Sequence, residues 1–299
     1  MTEHVNPDPS PSDSTAALDR QLEASLRDIG IPPRPVILEK INLEARADEP
    51  DMNYLSEMIL SDVALAAGLI KTANSPFFGY RHKTRNVRDA LMMLGLKAAG
   101  NAIAGLILRQ VFPAPPQLAR FWDASERTAQ LSAWLVQKLG VRFGVTSEDA
   151  YTFALFRDCG IPIMMRRFAG YHAVLARAND DDLRPFTTVE ELDMPTNHAV
   201  LGGLMAQSWW LPEDLCTAIR RHHDLSVMDW AAGVSGAALR QIALAQLGEK
   251  LHQSITGLNM TREWDKLGAA CSGILELGDE IPSELVADAR EFVGSLASY

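Results

Sequence analysis

The residues best suited to chemistry are histidines and aspartates dispersed through the middle of the chain: Asp158, His198, His222, His223 and Asp224. Imidazole and carboxylate groups bind the ions that activate water in metal-dependent hydrolases. The sequence places none of these residues in an HExxH, P-loop, GxGxxG or GxSxG motif, each of which fixes its functional groups by local spacing. Any joint chemistry therefore requires the fold to bring distant positions together.

Each of these side chains also has a structural interpretation. Asp158 is interpreted first as a salt-bridge partner of Arg157 or another arginine, because buried carboxylates are normally paired, and a ligand role is the alternative. His198 begins a predicted helix and is expected to cap it or to hydrogen-bond in the core. His222 and His223 end a predicted helix, where positive charge suits the helix dipole and where an anion could also bind.

The composition disfavours some classes of protein. The chain of 299 residues carries 28 Lys and Arg against 38 Asp and Glu, which gives a formal net charge of −10. Nucleic-acid binding needs clustered positive charge, so this balance disfavours it. The three cysteines lack CxxC spacing and lie among apolar neighbours, which predicts buried, reduced thiols in a cytoplasmic protein.

The sequence predicts neither a signal peptide nor a membrane span. Residues 1–16 are polar and rich in Pro and Ser, unlike a signal peptide. The most apolar stretch, residues 90–111, is interrupted by Gly95, Lys97, Gly100, Asn101 and Arg109, whereas a membrane span needs a longer apolar run. We expect this stretch to form core helices of a cytoplasmic protein.

The spacing of apolar residues predicts an all-α fold. Apolar residues recur at three- and four-residue intervals, Gly, Pro and polar caps separate these segments, and no useful stretch alternates as a strand would. One helix is expected from Asn86 through Leu94, and another from about Leu96 to Val111. We predict a two-lobed helical bundle with a disordered tail at 1–15, an N-terminal lobe at 16–114, a second lobe at 115–228 and a helical extension at 229–299.

Two local features have more than one interpretation. Trp209 and Trp210 are adjacent, so only one can fully face a helix-packed core, and the other is expected between lobes or on a partner surface. A basic run could bind the phosphates of a nucleotide or RNA, or could form a solvated loop. It comprises Arg81, His82, Lys83, Arg85 and Arg88.

An ordered set of short segments resembles a known family. These are IPPRP at residues 31–35, SDVAL at 61–65, ANSPFFG at 73–79, ALMMLG at 90–95, HAVLG at 198–202, WWLP at 209–212 and IRRHHD at 219–224. In this order they resemble the HDOD domain, the HD-related output domain of bacterial signalling proteins. The resemblance covers about residues 31–225 and implies a helical fold related to the HD and HD-GYP phosphohydrolases.

The resemblance also implies a damaged metal site. In the related enzymes the diagnostic His-Asp pair lies in a Leu-His-Asp-Ile-Gly segment, and here the matching run LFRDCG at 155–160 puts Arg157 at the histidine position. A guanidinium cannot bind a cation. The same comparison puts Ala124 at an earlier histidine and Gln246 at a later aspartate. It therefore implies a degenerate site that lacks most metal ligands, in a protein that is not an enzyme and has no cofactor.

For function, the resemblance favours a non-catalytic bacterial signal-transduction module that acts through contacts with a protein partner. The alternative is a regulator that binds a nucleotide or other phosphorylated ligand in the former metal pocket, because a guanidinium suits an anion. That pocket would contain Arg157, Asp158, His198, His222 and His223. The third hypothesis, a residual metal-dependent phosphohydrolase, is disfavoured by the count of ligands. The sequence names no partner and leaves the oligomeric state open.

Overall fold

The computed structural model describes residues 25, 27–75, 83–113, 116–140, 144–224, 234–258, 260–278 and 280–296. Within these ranges the protein is all-α, as predicted, and contains no strand. The predicted disordered tail at 1–15 lies outside the described residues. The helices, in chain order, are α1 Val36–Glu44, α2 Met52–Leu60, α3 Val63–Ala73, α4 Val87–Val111, α5 Phe121–Leu139, α6 Ser147–Phe156, α7 Gly160–Arg167, α8 Tyr171–Asp180, α9 Phe186–Glu191, α10 His198–Ser208, α11 Glu213–Arg221, α12 Gly236–Thr256, α13 Glu263–Ile274 and α14 Ser283–Leu296.

Side-chain caps fix where α2, α3 and α4 begin. Asp51 accepts hydrogen bonds from the first turn of α2, Asp62 accepts from Leu65 in α3, and Asn86 accepts from the backbone N–H of Asp89 in α4. Such caps satisfy N–H groups that have no partner inside the helix. Helices α1, α2 and α3 all pack against α4, so α4 is the central helix of this first group.

Helix α4 is bent at Gly95, whose φ of +73° lies outside the helical region. A positive φ is readily adopted by glycine and costs other residues free energy, so the break falls between the two helices that the sequence predicts. Of the described helices, α4 alone is long and apolar enough to cross a membrane by composition. Its bend and its buried face, which includes Leu91, Ile103 and Leu108, are typical of a core helix.

The remaining helices form a second bundle around α5 and α12. Helix α12 packs against α5, α6 and α13, and α10 packs against α7 and α11. The approach of α7 to α10 is close, because a Cβ atom added to Gly160 would collide with the backbone carbonyl of His198 and lie 2.9 Å from the nitrogen of Gly202. Glycine at this position therefore lets the segment after α6 lie directly against the start of α10.

A proline-rich segment before α1 lies on the second bundle. The indole N–H of Trp209 donates to the carbonyl of Pro32 over 3.3 Å, and Arg34 donates to the carbonyl of Ser208 over 3.4 Å. The Arg34 guanidinium also lies 3.4 Å from the ring centre of Trp210. We call residues 31–34 the N-terminal clasp. As expected for adjacent tryptophans, Trp209 is buried whereas Trp210 is half exposed.

The two groups of helices share one apolar core. Buried side chains from Ile31 in the clasp to Ala289 in α14 belong to a single connected cluster. The contact of α4 with α6 joins the groups directly. The boundaries proposed at 114/115 and 228/229 fall among residues outside the described ranges, and the division into lobes stays a prediction.

Candidate metal centre

Four of the five predicted site residues converge in the second bundle. Asp158 lies in the turn between α6 and α7, His198 begins α10, and His222 and His223 follow α11. One candidate ligand atom from each lies within 4.8 Å of the others. His222 Nε2 is 3.2 Å from Asp158 Oδ1 and 3.4 Å from His198 Nε2. We call these four residues the His/Asp cluster.

Local structure places each member of the cluster. Asn197 caps α10 by accepting from the backbone N–H of Val200 over 2.8 Å, which fixes the orientation of the first helical residue, His198. The close approach at Gly160 brings the turn that carries Asp158 against that same residue. The three histidines are almost fully buried, so packing restrains their rings.

The second nitrogen of each histidine is held by a group outside the cluster. His198 Nδ1 lies 2.8 Å from Glu190 Oε2, and His223 Nδ1 lies 2.6 Å from Glu263 Oε2. His222 Nδ1 donates to the carbonyl of Ile219 over 2.7 Å. Carboxylates and carbonyls hold metal-binding histidines in this way, because a fixed Nδ1–H leaves the Nε2 lone pair free for an ion.

Arg157, the fifth predicted residue, lies beside the cluster. Its Nε donates to Asp158 Oδ2 over 3.0 Å and its Nη2 donates to Glu249 Oε2 over 2.7 Å. The salt bridge expected between Arg157 and Asp158 is therefore present. It uses only one oxygen of Asp158, and the other oxygen, Oδ1, faces His198 and His222.

The surroundings of the cluster carry more acidic than basic groups. Four carboxyl groups from different parts of the chain surround it, and among the described residues the cations paired with them are Arg157, Lys266 and the protonated His198. The carboxyl groups belong to Asp158, Glu190, Glu249 and Glu263. Buried charge of one sign is costly unless a counter-charge lies close by. A bound cation would supply that charge.

The pKa values of the cluster respond to this field. Burial opposes the charged form of His198, but Glu190 and Asp158 raise its pKa to about 10. Burial lowers the pKa of His222 to about 3, and the neighbouring His223 adds to the effect. Burial likewise lowers the pKa of His223. One histidine is thus charged and two are neutral at pH 7, and neutral imidazole is the form that binds metals.

A cavity of about 370 Å³ reaches the cluster from the surface. Asp158, Arg157, His223 and Glu263 line it, and Phe121, Leu175 and Phe186 contribute apolar surface. Ala124, which the family resemblance placed at a histidine ligand, also lines this cavity. A small molecule therefore has a route to the candidate ligand atoms.

The HDOD domain family model matches residues 31–225. The chain belongs to the HDOD family. An uncharacterized protein of Treponema pallidum (strain Nichols) is 26% identical to this HDOD protein over 211 residues, which are 69% of the present chain and 40% of the relative. The chain thus spans less than half the length of that relative.

Solved structures share the HDOD fold at low identity. A putative phosphohydrolase from Shewanella amazonensis SB2B is 17% identical, has a TM-score of 0.61, and aligns over 91% of this chain and 94% of its own. A putative signal transduction protein from Marinobacter aquaeolei VT8 is 17% identical, has a TM-score of 0.59, and aligns over 94% of this chain and 65% of its own. At this identity the similarity establishes the fold.

The expectation of a site that lacks most metal ligands, and with it the exclusion of enzymatic activity, is wrong. The sequence comparison counted ligands at the motif positions Ala124, Arg157 and Gln246, whereas the structure assembles three histidines and an aspartate at one point. His222 and His223 reach the cluster because α11 ends beside α10. Sequence reasoning missed the two carboxylates that hold histidine rings of the cluster: Glu190, which holds His198, and Glu263, which holds His223.

Proposed function

We propose that this HDOD protein is a bacterial signal-transduction domain that binds one divalent transition-metal ion at the His/Asp cluster. The ligand atoms would be Asp158 Oδ1 and the Nε2 atoms of His198, His222 and His223. The observation that carries the proposal is the fixed Nδ1 of all three histidines, held by Glu190, a backbone carbonyl and Glu263. Membership of the HDOD family, the HD-related output domains of bacterial signalling proteins, supports the signalling role.

The donor set suits ions of intermediate softness. Three imidazoles and one carboxylate are typical ligands of zinc, iron, manganese and nickel, whereas magnesium and calcium prefer oxygen donors alone. The surplus of buried carboxylates around the cluster favours a doubly charged ion over a water molecule. A bound ion of this kind supplies Lewis acidity and lowers the pKa of coordinated water.

The residues around the ligands have separate roles in this proposal. Glu190 and Glu263 orient His198 and His223 and hold protons at Nδ1. Arg157 occupies Oδ2 of Asp158, so that this carboxylate can bind an ion through one oxygen. Glu249 in turn neutralises the guanidinium, which reduces its repulsion of a nearby cation.

The experiment is a metal titration of the full chain after treatment with a chelator. Bound zinc and manganese are measured per chain by elemental mass spectrometry. We expect about one ion for the wild type and a large loss in Asp158→Asn and His222→Gln. The exposed His172 supplies the control His172→Gln, which should bind as the wild type does. Binding far below one ion per wild-type chain, or equal binding in all variants, would overturn the proposal.

If the protein signals through the metal site, the binding of its partner should depend on whether that site holds an ion. Chemical cross-linking in cells of the source organism, with wild type and His222→Gln expressed at equal levels, tests this directly. We expect a specific partner with the wild type and its loss with the variant. A set of cross-linked proteins that is the same for both would contradict control by the metal site.

Hydrolysis of a phosphate ester is a second candidate, favoured by the cavity that opens onto Asp158 and His223 and by the name of the Shewanella structural neighbour. In this reaction water adds to phosphorus, the ester P–O bond breaks, and the alcohol leaves with a proton. The test is release of nitrophenol from bis(4-nitrophenyl) phosphate by the metal-loaded chain. Turnover that Asp158→Asn removes would support this candidate, and no turnover with zinc, manganese or iron would eliminate it.

A further inference from the structure

A second cavity, of about 720 Å³, lies where α3, α5 and α12 meet. Four cations line it: Lys71 from α3, Lys83 from the segment before α4, and Arg120 and Arg127 from the start of α5. We call these four residues the cationic groove. Their convergence is unexpected on composition alone, because the whole chain has a net charge of −10.

The two acids that line the same cavity share one cation that does not line it. Asp123 and Glu126 both form ion pairs with Arg109, which lies on α4 at 3.6 Å from Asp123 Oδ1 and 2.5 Å from Glu126 Oε2. Arg109 therefore offsets one of these two negative charges from outside the groove. The four cations that line the groove outnumber the two acids that line it, and this local surplus of positive charge favours an anionic ligand.

The backbone around the groove is well fixed. Asn74 and Thr84 exchange two hydrogen bonds of 2.8 Å, which hold the end of α3 beside the residue that follows Lys83. The N-cap residue of α5 is Arg120, and no side chain caps this helix of 19 residues. The helix dipole of α5 favours negative charge near this end of the helix.

A buried polar group provides independent evidence of a ligand. His252 is 7% exposed, and within the part of the chain that the structure describes its Nδ1 has no hydrogen-bond partner. This side chain lines the groove and also the cavity that leads to the His/Asp cluster. A buried polar atom without a partner costs free energy, so a ligand atom or water that binds it is favoured.

The two cavities adjoin each other. Arg120, Ala124 and His252 line both. The cavity near the cluster offers the apolar surface of Phe121 and Phe186, while the groove offers the cations. A molecule with phosphate groups at one end and an aromatic or otherwise uncharged body at the other matches this arrangement.

We propose that the cationic groove binds the phosphate groups of a nucleotide-like small molecule, whose uncharged part extends past His252 into the neighbouring cavity. This site differs from the one that the sequence suggested at Arg157. There the guanidinium is already paired with Asp158 and Glu249, and acidic groups are in excess. The groove does not use the metal ligands, so the inference is independent of metal binding.

The test is isothermal titration calorimetry of the full chain with inorganic pyrophosphate and with ADP, in buffer that contains a chelator. We expect both probes to bind, with ADP at least about fivefold tighter because it also removes apolar surface from water. Lys71→Gln and Arg120→Gln should each weaken pyrophosphate about tenfold, the order expected for a lost charge-assisted hydrogen bond. Lys71 is exposed, so its replacement leaves folding intact.

The matched control is Arg46→Gln, which removes an exposed cation just after α1. Its affinity for both probes should equal that of the wild type. Absence of pyrophosphate binding, or an equal loss in Arg46→Gln, would overturn the phosphate site. ADP that binds no more tightly than pyrophosphate would overturn the role of the neighbouring cavity. Because the metal is removed throughout, none of these outcomes depends on the metal proposal.

Discussion

Arg157 and Glu249 form an ion pair in which Nη2 donates to Oε2 over 2.7 Å, although 92 positions separate them in the chain. The pair joins the turn after α6 to the middle of α12 and lies at the edge of the His/Asp cluster. The Glu249 carboxyl group is buried, which raises its pKa, while Arg157 acts in the opposite direction. The Arg157 guanidinium therefore stabilises the charged forms of two carboxylates, those of Asp158 and Glu249.

Replacing Arg157 with methionine should destabilise the metal-free protein by about 3 kcal/mol, because it leaves buried carboxylates without their cation. The free energy of unfolding is measured in urea with a chelator present. The double variant Arg157→Met/Glu249→Leu should recover at least about 1 kcal/mol, since a buried charge is removed with its partner. Equal stability of the single and double variants would show that the ion pair is energetically unimportant.

Glu190→Gln should weaken zinc binding by about 10- to 100-fold, the usual effect of losing a carboxylate that holds a metal-binding histidine. Glu190 also accepts a hydrogen bond from the hydroxyl group of Tyr171, and an amide oxygen can keep that contact. Competition with a fluorescent zinc chelator gives the affinity. The control is Asp193→Asn, at an exposed carboxylate just after α9, and a similar loss there would argue against a specific role for Glu190.

Gly160→Ala should cost several kcal/mol, because the added methyl group meets backbone atoms of His198 and Gly202 rather than flexible side-chain ends. The displacement of α7 from α10 should also lower zinc affinity. Gly273→Ala is the matched control, since nothing lies within 4 Å of its added Cβ, and it should stabilise α13 by about 0.5–1 kcal/mol. Thermal unfolding, monitored by circular dichroism, compares the two variants. Equal melting temperatures would contradict the close approach of α7 to α10 at Gly160.

The wild type should lose stability relative to Cys271→Ala as the pH rises above about 8.5. Burial raises the pKa of the Cys271 thiol to about 12, whereas an exposed thiol titrates near pH 8.5. Above that pH the unfolded chain releases a proton that the folded chain retains, which favours unfolding by about 1.4 kcal/mol per pH unit. Urea unfolding at pH 8 and pH 10 measures the free energy of unfolding of both proteins. If the wild type and Cys271→Ala change equally between these pH values, the folded thiol ionises normally.

Much of the helical architecture could be predicted from local sequence, because caps and breakers act over a few residues. The capping pair at Asn86 and Asp89 and the break at Gly95 both occur where the sequence indicates. The predicted salt bridge of Arg157 with Asp158 likewise joins neighbours in the chain. Such features need little knowledge of tertiary packing.

The carboxylates that surround the His/Asp cluster could not be predicted in the same way, because their positions depend on contacts between distant segments. Glu263 lies 40 positions beyond His223 and Glu190 lies eight before His198, and no local motif connects these residues. The aspartate position inferred at Gln246 falls on α12, one helical turn before Glu249, which is the acid that pairs with Arg157. A search of the sequence for any carboxylate within one helical turn of Gln246 would have found Glu249.

The N-terminal clasp has a consequence for how this gene can be recombined. Pro32 and Arg34 precede α1 in the chain, yet they hydrogen-bond to Trp209 and Ser208 at the end of α10. A fusion that carried only the coding sequence from α5 onward would leave the buried indole of Trp209 facing water and its N–H without the carbonyl of Pro32. The smallest part of the coding sequence that can be moved into another protein must therefore begin before the clasp. Recombination between proteins should transfer both groups of helices together.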